Sequence, residues 1–197
     1  MHKFICATGN FSALRDITGI ETRMVSDETL MLEFQRGSRE AFEELFARYR
    51  EPLFGFFRRR LQLRERAEEL AQETFLAVIR AKARYEPLAS VRTYLYGIAM
   101  KLLAAERRKG FVAIAGASVV SREGVDEALW VREALEKLEA DDREILMLRE
   151  YEQLSYTDIA ALLGVPLNTV RSRLFRARME LKGHLDPAGN LENMKCM

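Results

Sequence analysis

Cysteine and histidine are scarce in this chain of 197 residues, with two of each. Cys6 and Cys196 lie near opposite ends and His2 and His184 are isolated, so the sequence offers neither metal-ligand spacing nor a disulfide framework. No apolar run approaches the length needed to span a bilayer, and the N-terminus has no charged stretch followed by an apolar one. A soluble, cytoplasmic protein without membrane insertion is therefore expected. No segment alternates apolar and polar residues long enough to build a sheet. A Gly-rich phosphate loop after a strand, a nucleophile motif and a His/Asp/Glu metal cluster are all missing, so no cofactor, metal or catalytic residue is assigned. The acidic stretch 65–73 is the one candidate for an enzyme reading. Net charge of one sign is lacking too, at a formal +1.

Hydrophobic residues make up 48% of the chain, ample for a core, and the charges are segregated. Arg58, Arg59 and Arg60 form one basic cluster, Arg107 to Lys109 a second, and the last helical pattern a third. Acidic residues gather at Glu65, Glu68, Glu69 and Glu73. Such a division predicts two kinds of surface, one for DNA and one for a basic protein partner.

The most informative window runs from Arg149 to Arg178. Ser155 caps a short helix and Asp158, three residues on, completes a capping box. Ile159, Leu162 and Leu163 give that helix an apolar stripe, Gly164 supplies a left-handed turn, and Pro166 starts the next helix. In that second helix Val170, Leu174, Ala177 and Leu181 face inward, while Arg171, Arg173, Arg176 and Arg178 flank the stripe. This is a helix-turn-helix with a cationic outer helix, the arrangement that lies in a DNA major groove. A basic amphipathic helix with a merely solvated face is the alternative.

Residues 1–23 show no sustained periodicity and are expected to form a disordered extension. Helix follows helix from Asp27. Leu30, Met31 and Phe34 make a short one stopped by Gly37, and Phe42, Leu45, Phe46, Tyr49, Leu53, Phe56 and Phe57 line a longer one bent at Pro52. Ala67, Leu70, Ala71, Phe75, Val78 and Ile79 define a third, and Ser90 caps a fourth built on Val91, Tyr94, Leu95, Ile98, Ala99, Leu102 and Leu103. The stretch FVAIAGASVVSREG has no helical period and reads as a flexible linker. Val131, Ala134, Leu135 and Leu138 begin the second unit, followed by a helix capped by Asp141 and carrying Ile145, Leu148 and Tyr151. The fold class is all-α, with two small helical domains joined by a linker.

The motifs AFEELFARY (41–49), AEELAQETFLAVIR (67–80), TYLYGIA (93–99) and LSYTDIAALLGVPLNTVRSRLFRAR (154–178) resemble the extracytoplasmic-function (ECF) sigma factors, small members of the sigma-70 family of RNA polymerase initiation subunits. The resemblance covers about residues 27 to 183. After the expected extension at 1–23, it implies sigma region 2 at 24–109, a linker at 110–125, a helix-turn-helix sigma region 4 at 126–184, and a tail at 185–197. Partners implied are core RNA polymerase, through the clamp helices of its largest subunit and the flap of the second largest, promoter DNA, and an anti-sigma factor as a regulator that some members have.

By resemblance, Glu69, Leu70, Gln72, Glu73 and Phe75 dock on the clamp helices. Glu69, Gln72 and Glu73 share a face by their spacing, which a solvated glutamate face would also show. Glu69 stands where many members carry Asp. The pocket for a flipped minus-ten base is implied at Ala81, Tyr85 and Tyr96, with the loop Glu86 to Ser90 choosing the base, and Lys101 stands where relatives commonly carry Asn. A partly buried core tyrosine is the other reading of Tyr96. The arginines of 58–60 and the basic run 107–109 are either backbone contacts to DNA or solvated helix ends. The minus-thirty-five element falls to Arg149, Arg171, Ser172, Phe175 and Arg176, with Asn168 and Thr169 at the helix N-terminus as a phosphate seat. Arg171 and Ser172 would read bases, Arg149 and Arg176 would hold phosphates, and Arg173 and Arg178 would serve DNA or the fold. The resulting expectation is a transcription initiation specificity subunit that is not an enzyme. Its rival is a stand-alone helix-turn-helix regulator.

Overall fold

A computed structural model describes residues 25–61, 63–109 and 125–185, with side chains in the last stretch from Trp130 onward. The expected extension 1–23, nearly all of the expected linker and all but the first residue of the tail lie outside these residues. Every regular element among the described residues is helical.

Four α-helices build the first unit, three of them begun by a serine cap legible in the chain. Ser26 accepts from the Thr29 amide to start α1 (Asp27–Arg36), and Gly37 ends it at φ 112°, a left-handed value that a side chain would resist. Ser38 caps α2 (Arg39–Arg58) through the Ala41 amide. Pro52 lies inside α2 and does not end it, although the carbonyl of Arg48 forgoes its usual donor there. Helix α3 (Arg64–Ala81) has no side-chain cap and runs into a 3-10 turn, Lys82–Arg84. Ser90 caps α4 (Val91–Arg108). Their shared core holds Met31, Leu53, Phe56, Phe57, Leu70, Leu95 and Leu103, all nearly inaccessible. One ion pair is built into it. Arg66 donates to both oxygens of the buried Glu106 at 2.8 and 2.7 Å, tying α3 to α4.

The second unit comprises α5 (Val125–Glu136), α6 (Ala140–Glu150), α7 (Tyr156–Leu163) and α8 (Leu167–Leu185). Helix α5 already begins at the last position given to the linker. Ile145, Leu148, Leu154, Ile159, Val170, Leu174 and Ala177 form its core.

Several side chains depart from expectation. Asp141 does not cap α6: Glu139 holds the N-cap position without a side-chain hydrogen bond, and Asp141 lies in the first turn. Phe46, Ile79 and Tyr151, placed inside by periodicity, are 37%, 40% and 48% exposed, the first two at the edge of their helices' apolar stripes and Tyr151 just past the end of α6. The two units also pack directly on each other. Arg59 and Arg60, at the end of α2, pair with Glu152 and Glu144 across 84 to 93 residues of sequence. Helical periodicity within one element carries no trace of such a seam.

Candidate partner and nucleic-acid interfaces

Helix α3 presents one continuous outer face. Glu69, Gln72, Leu76 and Ile79 follow one another at helical spacing and are all exposed, with Glu73 half-buried beside them. Leu70 and Phe75 turn the other way, into the core, where Phe75 packs on Phe46 with ring centroids 4.8 Å apart. The apolar component of the face is thus Leu76, Ile79 and the edge of Phe46, residues that the motif alone did not single out. Arg66 was missed as well. Its guanidinium lies 2.7 Å from Glu69 and 3.3 Å from Glu73 while also holding Glu106, so the acidic face carries an internal counter-charge. Its i, i+3, i+7 spacing to Glu69 and Glu73 was the available signal.

The residues assigned to a base pocket are dispersed. Tyr85 and Tyr96 are both buried, but Tyr85 meets the Tyr94 ring at 5.1 Å and Tyr96 meets Phe56 at 5.5 Å. The Tyr85 hydroxyl has no hydrogen-bond partner among the described residues. Burial, and then the negative charge of Glu152 against its hydroxyl, raise the Tyr96 phenol well above its ordinary value. Ala81 is half-buried at the end of α3, and Lys101 is exposed on α4. Between Tyr85 and Val91 the loop is exposed throughout, Leu88 to 87%. Helix α1 ties both its ends: Gln35 donates to the Tyr85 carbonyl at 3.0 Å, and the Val91 amide donates to Glu28 at 3.3 Å.

The helix-turn-helix is formed by α7, a three-residue break and α8. Ser155 and Asp158 cap each other's backbone amides as a capping box, and Gly164 adopts φ 66°. The Pro166 carbonyl accepts the first bonds of α8, from Thr169 at 2.9 Å and Val170 at 3.2 Å. With Val170, Leu174 and Ala177 buried, α8 turns outward Asn168, Arg171, Ser172, Phe175, Arg176 and Met179, one face at i, i+3, i+4, i+7 spacing. Phe175 is 69% exposed in the middle of that face. Thr169 is half-buried.

The arginines divide by partner. Arg171 donates to its neighbour Asn168 on the same face, at 3.2 Å. Arg176 is held by the fully buried Asp142 through two bonds of 2.6 and 2.8 Å, and Arg178 by Glu150. Arg173 pairs with Asp141. Arg149 donates to the Leu154 carbonyl at 2.9 Å and lies over the Tyr156 ring. Elsewhere on this unit α5, α6 and α8 enclose an apolar groove of about 570 Å³, lined by Val131, Leu135, Met147, Tyr151, Leu181 and Leu185. Among the described residues no group of His, Cys, Asp and Glu could hold a metal, and no helix is long and apolar enough to cross a membrane.

An exposed acid-and-apolar helix in one unit and a DNA-shaped helix-turn-helix in the other define an adaptor between a protein partner and DNA. Comparison with known proteins gives that class its family. Residues 45–110 match sigma-70 region 2 and residues 128–181 match sigma-70 region 4. The chain is 32% identical over 183 residues to the RNA polymerase sigma-H factor of Pseudomonas aeruginosa, covering 82% of this chain and 94% of that protein. It is 30% identical over 162 residues to RNA polymerase sigma factor YlaC of Bacillus subtilis, covering 75% and 93%. Among solved structures, CnrH in complex with the cytosolic domain of CnrY aligns with a TM-score of 0.65 at 26% identity, covering 81% of this chain and 97% of that one. RpoE of Bartonella quintana in complex with the anti-sigma factor NepR aligns at 0.62 and 25% identity, covering 73% and 96%. The chain belongs to the ECF group of the sigma-70 family of RNA polymerase sigma factors. It is an initiation factor and not an enzyme: it binds core RNA polymerase and directs promoter-specific initiation by recognising the minus-ten and minus-thirty-five elements.

Proposed function

We propose that the labour is divided between residues 24–109, which dock on the clamp helices of the polymerase's largest subunit and read the minus-ten element, and residues 126–184, which read the minus-thirty-five element. The observation that carries this reading is the continuous exposed face of α3, where Glu69, Gln72 and Glu73 adjoin Leu76 and Ile79. Carboxylates there pair with arginines of a partner helix, and the leucine and isoleucine supply contact area. On α8, Arg171 and Ser172 read base edges and Phe175 packs against an apolar base edge, while Asn168 and Thr169 seat a phosphate. Arg149 and Arg176 hold phosphates after exchanging their present partners. Ala81, Tyr85, Tyr96 and Lys101 serve the melted minus-ten strand, with the exposed loop Glu86 to Ser90 beside them. The apolar groove between α5, α6 and α8 offers a seat for the flap of the second-largest subunit or for a helix of an anti-sigma factor. This work belongs in the cytoplasm, with the polymerase.

The test is co-assembly of the purified chain with core polymerase in the absence of any inhibitor. The parent chain co-migrates with core, and the double variant Glu69→Lys, Glu73→Lys does not, while keeping its helical circular dichroism. Retained co-migration of that variant would contradict the assignment of α3.

A further inference from the structure

Helix α1 carries two polar, partly buried side chains, Glu28 and Gln35, whose i, i+7 spacing sets them on one face, and each holds a different end of the loop Glu86 to Ser90. The Gln35 amide donates to the Tyr85 carbonyl at 3.0 Å and reaches the Ala83 carbonyl at 3.5 Å, fixing the stretch that enters the loop. Just before it, the Lys82 ammonium lies 5.0 Å from the Phe34 ring centroid. At the exit, Glu28 accepts from the Val91 amide at 3.3 Å, while Ser90 accepts from the Thr93 amide. Both amides belong to the first turn of α4, where backbone donors lack partners within the helix and the helix dipole is positive. A carboxylate on α1 suits that seat by charge as well as by reach. Between the anchors the Leu88 amide donates to the Glu86 carbonyl at 2.8 Å, a tight turn centred on Pro87, whose ring fixes its φ. Leu88 stands out from it, 87% exposed. Burial, and then the negative charge of Glu28, raise the Tyr85 phenol above its ordinary value, so its hydroxyl stays protonated beside the loop.

We infer that α1 braces this loop, with Glu28 and Gln35 as positioning residues for base selection: they hold both ends in the conformation that a flipped base meets. The inference rests on the minus-ten role proposed for Tyr85 and the adjoining loop, taken as the part that chooses the base. Extruding a base already costs unstacking, and ordering a loosened loop in the same step would add to that cost. Discrimination suffers most, because a loop free to shift accommodates several bases, whereas one held at both ends presents a single shape. Glu28 and Gln35 act through the loop backbone rather than on the base itself.

The experiment uses holoenzyme assembled from core polymerase and the full chain. Run-off transcription is measured in competition between promoters that carry each of the four bases at each minus-ten position in turn. The parent prefers one base at the position the loop selects. Gln35→Glu keeps the side chain's shape but sets a carboxylate against two carbonyls, and Glu28→Ala strips the Val91 amide of its partner. Each reduces the preference roughly fivefold or more, on the order of a lost hydrogen bond. Co-migration with core and use of the minus-thirty-five element stay as in the parent. Glu28→Gln keeps an acceptor for the amide and returns the preference. A role in folding alone would lower transcripts from all four bases alike. That result, or an unchanged preference in both variants, overturns the proposal. Should Gln35→Glu lose helicity, Gln35→Met fills the same space without the donor and replaces it. Leu88→Asn tests the underlying reading, since it leaves both anchors in place and should change the preferred base. An unchanged preference there counts against the loop as chooser and removes the proposal with it. A changed preference there with none in the α1 variants overturns the brace alone, so the two failures are told apart.

Discussion

Arg66 serves two surfaces at once, and its loss separates them. Its guanidinium satisfies the buried Glu106 while drawing Glu69 and Glu73 toward the start of α3. Arg66→Ala leaves a buried carboxylate with only the distant Lys109 ammonium, 3.7 Å away, and should cost about 2 kcal/mol in urea unfolding. An unaltered midpoint would show that Glu106 finds water. Arg171 makes the opposite case. It is exposed and its hydrogen bond to Asn168 stays on its own helix face, so Arg171→Ala should leave stability and core assembly untouched while discrimination of the upstream element falls by ~1–3 kcal/mol, read from competition binding of the holoenzyme to matched and altered promoters. Equal losses on every sequence would make Arg171 a phosphate contact instead.

At the scale of elements, the local signals were legible and the lateral ones were not. Ser26, Ser38, Ser90 and Ser155 each cap the helix that follows, and Gly37 and Gly164 end theirs in left-handed backbone, because capping is decided within four residues. Asp141 misled for a related reason. It lies in an acidic pair at a helix start, but its neighbour Asp142 is drawn inward by Arg176, 34 residues later, and the cap position moves back to Glu139. Leu70 and Phe75 carry two readings in the sequence, as part of the apolar stripe of the third helix and, by resemblance, as partner contacts, and the packing of α3 puts both in the core. The turn of the helix-turn-helix gives a prediction of its own. Gly164→Ala forces a side chain into φ 66° and should lower stability by about 1 kcal/mol, measured by thermal melting, with no change in the charges that meet DNA. A melting temperature equal to the parent's would mean the turn relaxes to another conformation.

For the whole molecule, stability should fall in acid for a reason that can be located. The hydrogen bonds from Arg66, outweighing burial, hold Glu106 below its ordinary value of 4.5. Burial pushes Asp158 upward, but its bonds from Ser155 and Thr93 more than reverse this and its carboxyl also ends below the usual range. A depressed native value means that the stabilisation is complete above the unfolded-state value, and is lost as pH falls through the native one. Thermal melts taken downward from pH 5 should therefore show a decline that Glu106→Gln flattens, and a parallel decline in that variant would assign acid sensitivity elsewhere. The all-helical plan, the two units and the family motifs were all visible in the chain, whereas the seam joining Arg59 and Arg60 to Glu144 and Glu152 was not. No periodicity connects residues so far apart, and a basic triplet at a helix end looks alike whether it meets water, phosphate or carboxylate.

The central claim is that two helical units cooperate, one gripping polymerase and the other choosing the promoter. Run-off transcription with purified core enzyme tests it most directly, comparing the parent chain with Glu69→Lys, Glu73→Lys and with Arg171→Ala on one promoter bearing both elements. The account predicts full-length transcripts from the parent, none from the charge-reversed chain even at saturating concentration, and transcripts from Arg171→Ala that no longer depend on the upstream element. Transcripts from the charge-reversed chain at the parent's level, or continued dependence of Arg171→Ala on that element, would contradict it.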